Sequence, residues 1–158
     1  WHQGRMEFGP RALGARSILA DPRSEKMQSL LNLKVKFRES FRPFAPSIIK
    51  EEAARWFDLN IDSPYMLFVA DIHDHVKLPI SQKEKEDFNI ASIKMPRSKI
   101  PAITHIDYSA RIHTTDEHIN PRYHALIKRF NELTNCPIVV NTSFNIRILF
   151  DVSNDCII

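Results

Sequence analysis

Residues 34–46 read Lys-Val-Lys-Phe-Arg-Glu-Ser-Phe-Arg-Pro-Phe-Ala-Pro, and the rest of the chain must be arranged around this stretch. Four cations, Lys34, Lys36, Arg38 and Arg42, fall within nine residues, with Phe37, Phe41 and Phe44 threaded between them. Phenylalanine rings gain by burial, whereas guanidinium and ammonium groups resist it. A fold that accepts the stretch has to take the rings inward and leave the cations on one edge. Pro43 and Pro46 stiffen the exit, so the cations are positioned before any ligand arrives. One reading is a basic edge strand with a solvated face. The other, which the rest of the chain favours, is an anion site.

Charge is distributed in the same sense. Residues 1–43 carry nine Lys/Arg against four Asp/Glu, a local excess of +5, while the remaining residues carry thirteen against fifteen. Such asymmetry points to one basic site more than to general nucleic-acid affinity, which favours basic residues spread over a recognisable module. At 158 residues and 43% hydrophobic content the chain can bury one ordinary core, and one domain is expected. No run reaches the roughly 18 apolar residues of a membrane span, and no secretory pattern opens the chain. Cys136 and Cys156 lack a CxxC or zinc spacing and read as free thiols in a reducing, cytoplasmic compartment. A first residue of Trp1 in place of Met reads as a piece cut from a longer protein.

All three glycines, at positions 4, 9 and 14, lie in residues 4–23 together with Arg5, Arg11, Arg16 and Arg23. Glycine permits positive φ and close backbone approach, so a tight folded-back loop is expected. The segment matches neither GxxxxGK[ST] nor GxGxxG, and no nucleotide motif is claimed for it. A connector with solvent-facing arginines stays open beside an anion-binding loop. Residues 24–33 have helical spacing in Met27, Leu30 and Leu31, with Ser24 as cap and Glu25 in the first turn. That helix is expected to bring Arg11 and Lys36 towards each other.

Residues 45–49 predict a short buried strand, and 51–57 a helix with Trp56 and Phe57 inward. Residues 65–72, strongly apolar, predict a second strand. Residues 73–99 are rich in Lys, Glu, Asp and Ser, with an apolar pair at Phe88 and Ile90, and predict a long surface excursion. His73 and His75 have only Asp71 or Asp74 nearby and are read as surface residues, so no metal site is assigned. Over residues 100–115, two β-rich runs flank Asp107-Tyr108-Ser109, predicting a hairpin or bent strand that lets His105, Asp107 and Arg111 approach the site.

Asn120-Pro121 opens the clearest helix, since Asn is a good N-cap and Pro suits the first helical position. Tyr123, Leu126, Ile127, Phe130 and Leu133 mark its apolar face, and the helix is scaffold. Residues 136–140 then predict a buried strand that delivers Asn141-Thr142-Ser143-Phe144-Asn145 at its carboxyl end, where open α/β sheets place their ligands. Ser143 and Asn145 are expected to point the same way, with Phe144 directed into the core. Their hydroxyl and carboxamide suit the orientation of a phosphate or nucleotide already held by cations.

Four blocks then stand in order: G-R-M-E-F-G-P-R-A-L-G-x-R-S-I-L-A-D-P-R from Gly4, V-K-F-R-E-S-F-R-P-F-A-P from Val35, I-T-H-I-D-x-S-A-R from Ile103, and P-I-V-V-N-T-S-F-N from Pro137. Together they resemble the C-terminal domain of nodulation-type and antibiotic-type O-carbamoyltransferases, from about Gly4 to Arg147. Lys36-x-Arg38 and Ser143-x-Asn145 also resemble the signature of the YrdC-like, carbamoyl-adenylate-forming fold. The resemblance implies an α/β fold with a twisted, mixed open sheet, flanking helices and a basic concave groove. It implies that carbamoyl phosphate and ATP give carbamoyl adenylate, which an N-terminal Kae1-like domain, absent from this chain, uses to carbamoylate a hydroxyl.

By the same resemblance Arg11, Arg42 and Arg111 hold carbamoyl phosphate, and Lys36, Arg38, Ser143 and Asn145 contact ATP. Lys36, Arg42 and Ser143 form the catalytic set. Mg²⁺ is expected to arrive with the ATP phosphates, no metal is assigned to protein ligands here, and iron belongs to the absent domain. Neither nucleic acid nor a membrane is expected as a partner. The residues leave two alternatives open. One is a catalytically inert phosphate- or nucleotide-binding module; the other, resting on the basic patch alone, is an RNA-binding YrdC-like domain. The domain is read as residues 1–147. Residues 148–158 depart from the family, which usually continues Gly-Glu-Pro-Ile-Val and a further helix, so they are read as a divergent tail that leaves the fold without its closing element.

Overall fold

In the computed structural model, which describes residues 1–79 and 95–144, the elements follow one another as β1 (Ser17–Ala20), α1 (Met27–Leu31), a π-helical turn (Asn32–Lys36), β2 (Ala45–Ile49), α2 (Lys50–Trp56), β3 (Val69–Asp71), β4 (Ser109–Arg111), β5 (His113–Thr115), α3 (Pro121–Thr134) and β6 (Ile138–Ser143). Short 3₁₀ turns occur at Asp74–Val76 and Pro101–Ile103. The main sheet has the order β1-β6-β2-β5. β6 is antiparallel to both of its neighbours, and β2 runs parallel to β5. β3 and β4 form a separate antiparallel pair. The architecture is mixed α/β, with a mixed open sheet and flanking helices.

Register sorts the two faces of the main sheet. Leu19 stands opposite Asn141, Asn141 opposite Ala45, Val139 opposite Ser47, and Ser47 beside His113. Directly paired residues share a face, so all of these side chains lie on one side. Towards one end that side is apolar, where Leu19, Ile49 and Val139 pack against Tyr123 and Ile127 of α3. Towards the other it turns polar, through Ser17, Ser47, His113, Asn141 and Ser143. The opposite face presents Ile48, Ile138 and Val140 to a larger core built from Leu31, Phe44, Phe57, Ile100, Ile103 and Ile112.

α3 forms as its cap chemistry predicts: Asn120 Oδ1 accepts from the Tyr123 N–H at 3.4 Å, and Pro121 occupies the first turn. Its apolar face is shorter than the spacing predicts. Leu133 is 68% exposed because the cluster beneath α3 ends at Phe130. α1 starts at Met27, and Ser24 supplies a backbone carbonyl to the Met27 N–H in place of a side-chain cap. The helix widens after Leu31 into the π turn, which Phe37 ends in the left-handed region at φ 49°. The basic stretch therefore begins helical, and the edge-strand reading fails for Lys34 and Lys36.

Other expectations are corrected by long-range pairing. Of residues 65–72 only Val69–Asp71 forms a strand. Met66, buried at φ 55°, breaks the run and leaves Tyr65, Leu67 and Phe68 exposed. Around Asp107-Tyr108-Ser109 the chain makes a tight turn, with the Tyr108 N–H donating to the His105 carbonyl at 3.1 Å and the His105 N–H to the Ser109 carbonyl at 2.9 Å, but a strand follows it only on the Ser109 side. The chain there is a bent strand, with β4 pairing with β3, β5 pairing with β2, and Ile112 between them. The flanks of the expected surface excursion are ordered: Lys77 bridges Ser98, and the Leu78 N–H donates to the Arg97 carbonyl at 2.8 Å. Phe88 and Ile90 lie outside the described residues. β6 extends through Ser143, so Asn141 and Thr142 sit within a paired strand and not beyond its end. Phe144 is 63% exposed and so does not enter the core. Among the described residues no helix is long and apolar enough to cross a membrane.

Candidate anion-binding site

The glycine segment is held by a carboxylate. Glu7 Oε1 accepts from the Leu13 N–H at 2.8 Å and from the Ala15 N–H, while Glu7 Oε2 faces Arg16 Nε at 3.6 Å. Gly14 has φ +97°, and a Cβ there would meet the Tyr123 ring at 2.4 Å. Only glycine lets the loop lie on α3 in this way. The loop brings Arg11 and Ala12 over the polar end of the sheet, where the Ala12 carbonyl accepts from Asn141 Nδ2 at 2.8 Å.

Asn32, fully buried where the π turn begins, shapes the second wall. Its Nδ2 donates to the carbonyls of Arg42 at 2.7 Å and Ser40 at 3.2 Å, and its Oδ1 accepts from Arg38 Nε at 2.6 Å. The Arg38 guanidinium also lies 4.8 Å from the ring centre of buried Phe44, a cation–π distance. β4 carries Arg111, whose Nη2 lies 4.0 Å from Met66 Sδ.

Arg11, Arg38, Arg42 and Arg111 thereby line one cleft of about 450 Å³ together with His105 and Ser143, and among the described residues no carboxylate lines it. Among the described residues, the Nε atoms of Arg11 and Arg111 are buried without a hydrogen-bond partner. Burial lowers the Arg111 pKa, and the nearby charges of Arg11 and Arg42 lower it further. Burial and then Arg42 lower that of Arg38. His105 is pushed below the ordinary histidine value by burial, with Asp107 opposing and Arg111 assisting. Cations that penalise one another in a partly desolvated cleft are relieved by an anion, so the arrangement is chemically suited to one.

Lys36 stands behind this wall. Its Nζ donates to the Ser143 carbonyl and, at 3.2 Å, to Ser143 Oγ. Burial, then the neighbouring charges of Arg38 and Arg16, push its pKa down to about 8. Of the residues picked out from sequence, Arg11, Arg38, Arg42, Arg111, His105 and Ser143 meet at the cleft, and Lys36 joins it through Ser143. Asn145 lies outside the described residues. Asp107 is elsewhere: its Oδ1 accepts from the N–H and Oγ of Ser109, and it lines an adjoining cleft that shares Arg42, Pro43 and His105 with the first. Arg23 pairs with Asp21 at 2.6 Å and takes no part. His73 contacts the Ala54 carbonyl through Nε2 at 2.9 Å, and among the described residues no group of three or more His, Cys, Asp or Glu could hold a metal ion.

Sequence reasoning passed over Glu7, Asn32 and Asn141, which do not face solvent as cations do but set where the cations go. The available signal was polarity at apolar positions. Asn32 continues the helix after Leu30 and Leu31, and Asn141 continues the alternation of Val139. Beneath the cleft, the His113 ring places Nδ1 2.7 Å from Ser47 Oγ, and burial pushes its pKa down to about 4.

The family described as Carbamoyltransferase C-terminus matches residues 1–151. An uncharacterized protein of Synechocystis is 55% identical over 147 residues, covering 93% of this chain and 24% of that protein. Nodulation protein NolO of Bradyrhizobium diazoefficiens is 41% identical over 148 residues, covering 92% of this chain and 23% of the relative. Nodulation protein U of Sinorhizobium fredii is 38% identical over 143 residues, covering 90% and 22%. The chain thus spans about a quarter of the length of these curated relatives.

Proposed function

The chain belongs to the carbamoyltransferase C-terminus family, and from that premise we propose that its arginine cleft binds carbamoyl phosphate beside ATP and forms carbamoyl adenylate. The observation that carries this reading is the meeting of Arg11, Arg38, Arg42 and Arg111 on one cleft that no carboxylate lines among the described residues. Guanidinium groups match phosphate oxygens in bidentate geometry, and each charge-assisted contact contributes roughly 1.5–3 kcal/mol. In the proposed reaction carbamoyl phosphate, ATP and water give carbamoyl adenylate, pyrophosphate and phosphate. Water first cleaves the carbamoyl–phosphate linkage to carbamate and phosphate, and the α–β anhydride of ATP then breaks as a carbamate oxygen bonds to the α-phosphorus and pyrophosphate leaves.

Arg11, Arg42 and Arg111 hold the carbamoyl phosphate. Arg38 and Ser143, with Lys36 behind Ser143, orient the ATP phosphates, and Asn145 joins them by its place in the family motif. Mg²⁺ travels with those phosphates, since among the described residues the cleft lining offers no carboxylate to hold it. The domain is then YrdC-like and cytoplasmic, and its adenylate passes to a Kae1-like domain, the seat of the iron, for transfer to a hydroxyl.

ATP–pyrophosphate exchange, measured with and without carbamoyl phosphate, tests the reading. Exchange that depends on carbamoyl phosphate is expected. Binding of both anions without exchange would leave a nucleotide-binding module, and failure to bind either would remove the site.

A further inference from the structure

A site for phosphate alone needs only donors, yet one residue that lines this cleft also carries a spare acceptor among the described residues. Asn141 is 1% exposed, lies in the middle of the main sheet on the face of Ala45 and Ser143, and lines the cleft. The orientation of its amide is decided by its neighbours. One amide atom lies 2.8 Å from the Ala12 carbonyl, which can only accept, so that atom is Nδ2. Nδ2 also donates to Ser47 Oγ at 2.8 Å, and Ser47 Oγ in turn stands 2.7 Å from His113 Nδ1. Burial keeps His113 neutral near pH 7, so Nδ1 is free to accept from the serine hydroxyl and the chain of hydrogen bonds closes. Asn141 Oδ1 is left over. It is buried with no hydrogen-bond partner among the described residues. Native proteins rarely leave a buried carbonyl oxygen unpaired without a reason.

We infer that Asn141 Oδ1 accepts a hydrogen bond from the amino group of a bound carbamoyl moiety, and that it selects carbamoyl phosphate over other acyl phosphates. The inference rests on the proposed function and names the specificity determinant of that same cleft. The inventory of the ligand matches that of the site. Phosphate and carbonyl oxygens accept, and the arginines supply donors for them. The one donor on carbamoyl phosphate is its NH₂, and the acceptor left over on a cleft-lining residue, among the described residues, is Asn141 Oδ1. Acetyl phosphate carries a methyl of nearly the same size at that position. It would occupy the same space and leave Oδ1 unpaired, the kind of mismatch by which hydrogen-bonding sites reject analogues. The Ser47–His113 pair holds the amide in place and makes the discrimination geometric.

Calorimetric titration of the full chain with carbamoyl phosphate, acetyl phosphate and inorganic phosphate tests this. The wild-type chain is expected to prefer carbamoyl over acetyl phosphate by about tenfold or more. In Asn141→Leu that ratio should fall to about one, while inorganic phosphate still binds. The readout is a ratio, so a general loosening of the loop through the lost Ala12 contact shifts both ligands together and leaves it unmoved. Ser47→Ala, which frees the amide but keeps the acceptor, should retain a preference for carbamoyl phosphate. Equal wild-type affinity for the two acyl phosphates would overturn the inference while leaving the proposed function standing, and needs no variant to be made. So would a preference that survives in Asn141→Leu. Absence of any phosphate binding by the wild-type chain would overturn both.

Discussion

Arg38 donates through Nε to the buried Oδ1 of Asn32 at 2.6 Å, so a side chain inside the core sets the direction of a cation in the cleft. The same amide holds the Arg42 carbonyl at 2.7 Å, which couples two of the four cleft arginines to one residue.

Asn32→Leu should therefore lower stability by about 2 kcal/mol, through two main-chain carbonyls that lose their donor. It should also weaken ATP binding more than that loss of stability alone would. Urea unfolding gives the first quantity and calorimetry at saturating folded protein the second. Unchanged ATP affinity in a folded Asn32→Leu chain would mean that Arg38 and Arg42 find their places without it.

The glycine loop offers a paired test. Gly14→Ala meets both a positive φ and the Tyr123 ring, and should destabilise by about 2–4 kcal/mol. Gly9→Ala meets a positive φ of +111° but open space, and should cost only about 1 kcal/mol. The difference in denaturation midpoint between the two variants measures the contact with α3. Equal losses would show that backbone strain alone requires the glycine.

Acid should weaken the fold through His113. Its folded pKa of about 4 lies below the ordinary value of 6.5, so the unfolded chain takes up the proton first as pH falls. The His113 contribution is full above pH 6.5, declines between 6.5 and 4, and the decline amounts to something on the order of 3 kcal/mol. His113→Asn should make the profile markedly shallower in that window, leaving the share of His105, whose pKa burial also lowers. Carboxylates such as Asp21, lowered chiefly by its hydrogen bond to Arg23, act only at lower pH. A wild-type profile flat from pH 6.5 to 4.5 would contradict the buried neutral histidine.

Lys36 supplies a second pH dependence, on the alkaline side and in binding. With its pKa pushed down to about 8 by burial and by Arg38 and Arg16, it begins to lose its charge there in the free chain. A bound anion favours the charged form, so ATP affinity should fall as pH rises past 8. Lys36→Arg should abolish that fall, since guanidinium keeps its charge throughout. An identical decline in both chains would place the titrating group elsewhere.

Elements whose determinants lie within a turn or two were legible in the sequence. α3 followed from Asn120, Pro121 and the spacing of Tyr123 and Ile127, and β2 from one short apolar run after Pro43. The cations of the site could be named for the same reason, because a guanidinium is recognisable wherever it sits. Errors clustered where a neighbour distant in sequence decides the outcome. Residues 65–72 have enough apolar character for a longer strand, but β4 pairs with only three of them. Phe144 looked like a core residue until the register of β6 left it beyond the last pair with β1, Ser17 opposite Ser143.

By itself the sequence determined a mixed α/β chain with one cationic site and the residue types that site employs, since propensity, capping and charge are properties of neighbouring residues. Tertiary structure alone decided which cations meet and what holds them. Arg11 reaches Arg111 because the Glu7 carboxylate folds the glycine loop over the sheet. Lys36 falls behind Ser143 because the helix widens into a π turn before Phe37. Asn141 is left with an oxygen unpaired among the described residues only when Ala12, Ser47 and His113 close around its amide, contacts that join residues 28 to 129 positions apart and that no local pattern encodes.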